Sequence, residues 1–238
     1  RSFHVTGVQT CALPIFWVFA QASNGAPTSA TLELLSKART LGTVTAWVGG
    51  DGNAIAAALG EYGASKVYAT GDLGGALPGV AVSAAMKAVI DGGETPDLVM
   101  FPQNYEGRDV VSRLSVKLDR TGLTNNIDVA NDGGKVAVTT PIFGGNLLVT
   151  TAFSGPGPFL AAFRPKSFVA EPSGGAAAAV TAVAVPDSGA TGTAKVTAVH
   201  VEATSGPKLD EAAIVVSGGR GLGEASEYAQ IEIGRAHV

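Results

Sequence analysis

The chain has 238 residues, of which 46% are hydrophobic and 15% charged, with 32 glycines but only 9 Phe, 4 Tyr and 2 Trp. This length and composition suit one large globular domain, or one domain and part of another, and exclude an intrinsically disordered chain. The formal net charge of -4 gives no basic surface for nucleic-acid phosphates, and the most apolar run, residues 176–185, is about half as long as a bilayer-spanning helix. We therefore expect neither a nucleic-acid partner nor direct membrane insertion.

The two ends of the chain can be encoded by the same short DNA sequence, read from opposite strands. Residues 233–238 can be encoded by a DNA stretch whose opposite strand, in a shifted frame, encodes residues 10–15. Both ends also resemble translated sequencing adapters, and the chain begins with Arg1 rather than Met. We expect residues 1–15 and 232–238 to be adapter-derived rather than native, and the remainder to be a fragment.

Setting these ends aside removes Cys11, His4 and His237, which leaves no cysteine and a single histidine, His200. Without cysteine there is no disulfide framework and no zinc site of the usual Cys/His type, so no metal site is expected. The absence of cysteine favours a reducing compartment, and we expect the bacterial cytoplasm.

Strands and helices alternate from residue 16 to residue 118. Residues 16–20 are almost uninterruptedly apolar, as in a strand buried on both faces. Apolar residues at helical spacing predict a helix over 29–41, with Thr28 or Ser29 as its N-cap and Gly42 as a left-handed C-cap residue. The next predicted elements are a strand at 44–48, a helix at 53–62, a strand at 66–69, a helix at 78–90, a strand at 97–101 and a helix at 106–118. Four successive β–α units predict a parallel sheet covered by helices.

After Gly122 the hydrophobic period changes to two, which predicts a β-rich second half. The predicted strands are 127–130, 135–140, 146–152, 159–163, 177–185 and 194–202, with a hairpin at Gly144 and Gly145. We therefore predict a Rossmann-like α/β domain over residues 16–203 and a linker at 204–211. A second α/β domain then begins over 212–231, with a strand at 212–216, and is truncated.

The glycine-rich segment 217–223 follows that strand and precedes a predicted helix. Backbone N–H groups in such a loop can approach an anion, and Arg220 adds a fixed positive charge. The spacing is not that of a dinucleotide fingerprint, so the residues alone leave open a cofactor-contact loop or a tight strand-to-helix turn.

Three further loops, 49–52, 71–75 and 103–107, follow strands at the edge where open α/β sheets bind ligands. None carries the Lys-Ser/Thr pair of a phosphate-binding loop. They are interpreted either as ligand-binding loops or as solvated turns.

The remaining polar candidates favour structural interpretations. His200 lies in a predicted strand without a second histidine, as in a sheet histidine that is satisfied locally. Asp109 and Arg113 have the i,i+4 spacing of a surface ion pair. Asp128 and Asp132 flank a strand and are interpreted as turn and surface residues. No catalytic residue is predicted.

Four segments together resemble the alpha subunit of electron transfer flavoprotein. They are residues 30–39, residues 106–118 with 121–124, residues 164–168 and residues 214–223, the last reading Ile-Val-Val-Ser-Gly-Gly-Arg-Gly-Leu-Gly. The last segment is the most specific, and the resemblance spans residues 16–231 in order.

The resemblance implies an electron carrier without a substrate-turnover site of its own. Such a subunit pairs with a beta subunit that holds AMP, and its C-terminal domain binds FAD, so 212–231 would begin the FAD-binding domain. It accepts electrons from flavin dehydrogenases, such as the acyl-CoA dehydrogenases of fatty acid beta-oxidation, and passes them to a quinone oxidoreductase. By motif match, Arg220 contacts FAD, flanked by Gly219 and Gly221.

The other FAD-contacting segments of the family lie downstream, so this chain as given is not expected to hold FAD. Variants that serve nitrogen fixation or electron bifurcation share these motifs and are not distinguished. The alternative to an electron carrier is a nucleotide- or partner-binding α/β module without a redox role, in which the 217–223 motif would be coincidental.

Overall fold

The computed structural model describes residues 13–132, 134–198, 200, 212 and 214–229. Contacts along the chain divide it into two units, residues 1–197 and 198–238. All the α-helices and β-strands of the described residues lie in the first unit.

The first unit alternates strands and helices before it becomes largely β. The strands are β1 (Ile15–Ala20), β2 (Ala22–Ser23), β3 (Ala26–Pro27), β4 (Thr43–Val48), β5 (Ala64–Ala69), β6 (Leu98–Pro102), β7 (Gly122–Asn126), β8 (Asp128–Asp132), β9 (Lys135–Ile142), β10 (Leu147–Ala152), β11 (Phe159–Phe163) and β12 (Ala179–Ala182). The helices are α1 (Ser29–Ala38), α2 (Ala56–Glu61), α3 (Pro78–Asp91) and α4 (Tyr105–Leu118). Among the residues that the structure describes, no helix has the length and apolarity needed to cross a membrane.

Seven strands form one parallel sheet in the order β12-β5-β4-β1-β6-β11-β7. The apolar strand β1 lies at its centre, between β4 and β6, and Phe16 and Trp17 belong to the core clusters on opposite faces. This confirms the predicted α/β class and the interior position of the first strand, because only a strand covered on both faces can be apolar at every position.

Helix α1 begins as predicted, since the Thr28 side chain accepts a hydrogen bond from the Thr31 N–H. The prediction for Gly42 was wrong, because its φ is not positive. Gly42 instead lies where a Cβ would be 2.2 Å from the Pro14 carbonyl oxygen. The residue is needed for a close approach of two backbone segments and not for a left-handed turn.

A second, antiparallel sheet has the order β10-β9-β8. Its β9–β10 turn contains Gly144 and Gly145 at φ 68° and 94°, as the hairpin prediction required. The sequence missed β7, an edge strand of mostly polar residues that has no apolar run to reveal it.

Two predictions for the end of the first unit need correction. The strand predicted over 177–185 shrinks to β12, and the strand predicted over 194–202 does not form in its described residues. In that part of the chain only an isolated bridge joins Lys195 to Ala76, and residues 194–198 are exposed. A period-two pattern cannot form a strand where no neighbouring strand supplies backbone partners.

The predicted domain boundaries remain predictions. Residues 1–12, 201–211 and 230–238 lie outside the described residues. Ile15, the last residue of the expected adapter segment, is the first residue of β1: it pairs with Thr43, and its N–H donates to Asp97 Oδ2 at 2.8 Å.

Candidate functional site

The predicted cofactor loop forms two short turns. Arg220–Leu222 is a single turn of 3₁₀-helix, in which the Leu222 N–H donates to the Gly219 carbonyl at 3.0 Å, and Ala225–Tyr228 forms another. The Arg220 side chain is exposed. Residues 214–216, expected to lead into the loop as a strand, have no strand structure and are exposed, because the described chain offers them no partner strand.

The glycines beside Arg220 are not required by the chain's own packing. A Cβ added to Gly219 or Gly221 would meet no atom within 4 Å, and neither of these two glycines has a positive φ, whereas Gly223 has a φ of 78°. The Arg220 guanidinium is therefore accessible from outside the chain, with open space beside it.

The loops 49–52 and 71–75 meet at the carboxyl edge of the sheet, as parallel topology requires. They border a cavity of about 470 Å³, together with Glu106 of the third loop. Its lining residues include the carboxylates Asp51, Asp72 and Glu106 but neither Lys nor Arg. A cavity with this charge disfavours nucleotide phosphates.

Two of these carboxylates are used in local turns. Asp51 Oδ1 accepts hydrogen bonds from the backbone N–H and the side-chain amide of Asn53, at 2.9 and 2.8 Å. These bonds, the backbone one first, hold the pKa of the Asp51 carboxyl below its ordinary value. Asp72 Oδ1 likewise accepts from the Gly74 N–H at 2.8 Å. This favours the solvated-turn interpretation of both loops.

The strand order reverses at β1 and β6, where open α/β sheets usually leave a ligand crevice. Here side chains bridge the two strand ends. Asn104 Nδ2 donates to Gln21 Oε1, and Gln21 Nε2 donates to Glu106 Oε2, both at 2.5 Å. Side chains that follow β1 and β6 are therefore hydrogen-bonded to one another across the crevice.

The predicted pair of Asp109 and Arg113 forms on α4, with Nε and Oδ1 2.8 Å apart and both side chains partly exposed. It also borders a second cavity of about 550 Å³ between α3, α4 and residues 183–194. A Cβ on Gly79 would lie 1.7 Å from Asp109 Oδ2. Gly79 thus lets α3 approach the pair, a packing role that spacing alone did not reveal.

The other polar candidates behave as surface groups. Asp128 pairs with Lys37 at 2.8 Å, and Asp132 is exposed. His200 is exposed and lies outside any strand, so its interpretation as a sheet histidine was wrong. No group of three or more His, Cys, Asp or Glu within the described ranges is arranged to hold a metal ion.

Comparison with known proteins identifies the family. The electron transfer flavoprotein domain model matches residues 16–188. The chain is 35% identical over 208 residues to the electron transfer flavoprotein subunit alpha of Syntrophomonas wolfei, covering 86% of this chain and 65% of that protein. It is 31% identical to the corresponding subunit of Mycobacterium leprae, covering 90% and 67%, and 30% identical to Protein FixB of Clostridium saccharobutylicum, covering 89% and 66%.

The chain belongs to the electron transfer flavoprotein alpha-subunit family. It spans about two thirds of the length of the curated relatives it matches. The relatives are named as electron transfer proteins, and what this implies for the chain is proposed below.

The fold brings two of the family-like segments, 30–39 and 164–168, into contact. Glu33 Oε2 accepts a hydrogen bond from the Lys166 N–H at 2.7 Å, and Lys37 Nζ lies 5.5 Å from the centre of the Phe168 ring. Lys166 has a positive φ of 63°. The segments 30–39 and 164–168 therefore contain residues that fix a strained loop after β11.

Glu33 is 5% exposed, and burial raises the pKa of its carboxyl, while the Lys166 N–H bond partly offsets this effect. Spacing did not single out Glu33, because in the sequence it is one charged residue of an amphipathic helix. The role of Glu33 is apparent only from the tertiary contact between its carboxylate and the loop after β11.

Proposed function

We propose that this chain is the N-terminal part of an electron transfer flavoprotein alpha subunit that, at full length, carries electrons on FAD. Family membership supports the electron-transfer role and a flavin. The choice of FAD, and of Arg220 as its contact, rests on the Val-Ser-Gly-Gly-Arg-Gly segment together with the exposed guanidinium and the open space at Gly219 and Gly221.

Arg220 would contribute a permanent positive charge to the bound flavin. FAD, when bound, supplies the redox chemistry, and a planar guanidinium can donate two parallel hydrogen bonds or stack on a ring. A lysine would supply the charge without that geometry. The protein's contribution at this position is therefore electrostatic and orienting.

The experiment uses the protein extended to the length of its relatives and co-produced with its beta subunit. Arg220→Ala should lower the FAD content or shift the flavin reduction potential, because the positive charge is lost. Arg220→Lys, the matched control, should retain more FAD and show a smaller shift in the flavin reduction potential. Heterodimer assembly, measured by size-exclusion chromatography, should be unchanged in both variants.

Unchanged flavin content, reduction potential and electron uptake in Arg220→Ala would overturn the assignment of Arg220. Purified protein with no flavin at all would instead favour the alternative, a nucleotide- or partner-binding module without a redox role. The acidic lining and bridged crevice of the sheet edge disfavour the nucleotide form of that alternative.

We propose a beta subunit as the structural partner, and β10 as part of the surface that meets it. Phe143, Leu147 and Leu148 in and before β10 are 75%, 55% and 61% exposed, and Val149 is 40% exposed. Among the described residues, β10 pairs only with β9, so its other edge has unpaired backbone groups. An apolar edge strand of this kind is normally covered by a partner.

The proposed redox partners rest on the family, and the proposed compartment rests on the absence of cysteine from residues 16–231. We propose flavin dehydrogenases, such as acyl-CoA dehydrogenases, as electron donors, a quinone oxidoreductase as acceptor, and the bacterial cytoplasm as location. Electron uptake by the purified heterodimer from an acyl-CoA dehydrogenase, followed by flavin absorbance, tests the donor class.

A further inference from the structure

Three oxidisable rings lie side by side in the core, on adjacent strands of the parallel sheet. The ring centres of Trp17 and Trp47 are 4.9 Å apart, those of Trp47 and Tyr68 are 4.7 Å apart, and those of Trp17 and Tyr68 are 6.1 Å apart. Both tryptophans are fully buried, and Tyr68 is 4% exposed. They are the only two tryptophans of the chain. Rings this close allow an electron to pass between them without an intervening group.

Neither indole can release its proton within the core. Trp17 Nε1 and Trp47 Nε1 are buried and have no hydrogen-bond acceptor. An indole that loses one electron becomes much more acidic, and loss of its N–H proton would stabilise the resulting radical. Without an acceptor, an oxidised Trp17 or Trp47 stays a radical cation and remains a strong oxidant.

Tyr68 has the proton acceptor that the two indoles lack. Its hydroxyl donates to Glu94 Oε1, and Lys66 Nζ donates to the hydroxyl oxygen. Lys66 and Glu94 are themselves paired at 3.2 Å, with side chains 36% and 40% exposed. Although the ring is buried, the phenol proton can therefore pass to a group at the protein surface.

The ionisation states suit this arrangement. Burial, followed by the bond to Glu94, raises the pKa of the Tyr68 phenol, so the phenol keeps its proton until it is oxidised. The hydrogen bond from Tyr68 holds the pKa of the Glu94 carboxyl below its ordinary value, so at neutral pH it is a carboxylate and can accept that proton.

We propose that Trp17, Trp47 and Tyr68 form a relay that carries a one-electron oxidation out of the core to the surface at Glu94. An oxygen-derived radical, such as the carbonate radical, removes one electron from an indole. Tyr68 then returns one electron to the indole radical cation, and the phenol proton moves to Glu94. The products are a neutral indole, a neutral tyrosyl radical and a protonated carboxyl, so electrons and protons balance.

Packing accounts for the contact between the rings, and a buried phenol hydroxyl also needs a hydrogen-bond partner for stability. The division of partners nevertheless gives the cluster a direction, because only Tyr68 can lose an electron and a proton together.

The test generates the indole radical inside the protein. Laser light that tryptophan absorbs and tyrosine does not ejects an electron, which hexaamminecobalt(III) takes up irreversibly. Transient absorption and electron paramagnetic resonance should show tryptophan radical decaying into tyrosyl radical at a rate independent of protein concentration. An absence of tyrosyl radical in the unmodified protein would overturn the proposal.

Variants locate the two steps. Tyr68→Phe should abolish the tyrosyl signal and prolong the tryptophan radical, whereas Tyr62→Phe, on the opposite face of the sheet, should change neither. Glu94→Gln, at a half-exposed position that leaves the fold intact, should slow the transfer about tenfold or more, as expected on losing a charge-assisted hydrogen bond. A full tyrosyl yield in Tyr68→Phe, or an unchanged rate in Glu94→Gln, would contradict the relay.

Discussion

Glu33 is an acidic residue with little access to water, and its carboxylate accepts a hydrogen bond from a loop. Its Oε2 accepts the Lys166 N–H at a residue with positive φ, so the bond holds a backbone conformation that lysine disfavours. The same helix places Ser36 against the following segment, where its hydroxyl donates to the Glu171 carbonyl at 3.2 Å and accepts from the Glu171 N–H at 3.0 Å. Two side chains of α1 thus replace the backbone partners that residues 166–171 lack.

Removing this acceptor should destabilise the protein. Glu33→Ala leaves the Lys166 N–H without its partner, and we expect a loss of about 1–3 kcal/mol in the free energy of unfolding. Glu33→Gln retains a carbonyl acceptor and should lose less. Urea denaturation followed by circular dichroism measures both, and equal losses in the two variants would show that the bond to Lys166 is not responsible.

The same pair of proteins tests the raised pKa of Glu33. Because the folded pKa lies above the unfolded value, the folded state binds more protons between the two, and wild-type stability falls as pH rises through that window. Glu33→Gln has no proton to lose there. The stability of wild type relative to Glu33→Gln should therefore be greatest at and below the unfolded pKa and decline as pH rises through the folded one, and a flat difference would contradict burial as the cause.

At the scale of elements, β10 differs from the central strands β1, β4 and β6 because its large apolar residues are exposed. The Phe153 N–H donates to the Val136 carbonyl at 2.9 Å, and alternation places the Leu148 backbone groups on the edge away from β9. Pro141, the register partner of Leu148, has no N–H to offer it.

Leu148→Lys should weaken the proposed heterodimer without unfolding the subunit. A charge at the centre of an apolar contact should raise the dissociation constant about tenfold or more. Val116→Lys on α4 is the matched control, since Val116 is 83% exposed on a different element, and it should leave the affinity unchanged. Isothermal titration with the beta subunit measures both. If Leu148→Lys and wild type bind the beta subunit with equal affinity, β10 is not part of the interface. If the wild-type chain instead self-associates and Leu148→Lys does not, the surface binds a second copy of the chain.

At the scale of the whole molecule, the two core clusters consist of residues between 15 and 183. The described residues of the second unit are largely exposed, including Ile214 at 81%. The stability of the chain therefore depends on the first unit.

A chain that ends at residue 198 should unfold in one cooperative transition, within about 1 kcal/mol, or roughly 2–4 °C, of the 238-residue chain. A chain that ends at residue 170 loses β12 and the bond from the Ala178 N–H to the Ala56 carbonyl. Its transition should lie clearly lower, because β5 becomes an uncovered edge. Differential scanning calorimetry compares the three, and a large loss in the first truncation would show that residues 199–238 stabilise the core.

The elements that the sequence predicted well are those whose own residues determine them. β1, β4 and β6 are mostly apolar, β5 ends in a short apolar stretch, and α1, α3 and α4 carry apolar residues at helical spacing, so each was found within a few residues of its bounds. The family was also readable, because segments such as 214–223 combine unusual residues in a fixed order. The role of Arg220 stays a prediction, because it depends on a bound group and not on contacts within the chain.

Tertiary structure decided everything that depends on a partner distant in sequence. β7 forms because β11 pairs with it, whereas residues 194–198 lack a neighbouring strand and remain irregular. Gly42 was assigned to a left-handed turn but is required by Pro14, and Glu33 gained its role from Lys166. Local pattern determines which element a segment prefers, because its hydrogen bonds and apolar spacing are internal to the segment. Which carboxylate is buried, which glycine is needed and which strand has a free edge depend on contacts made only when distant segments meet.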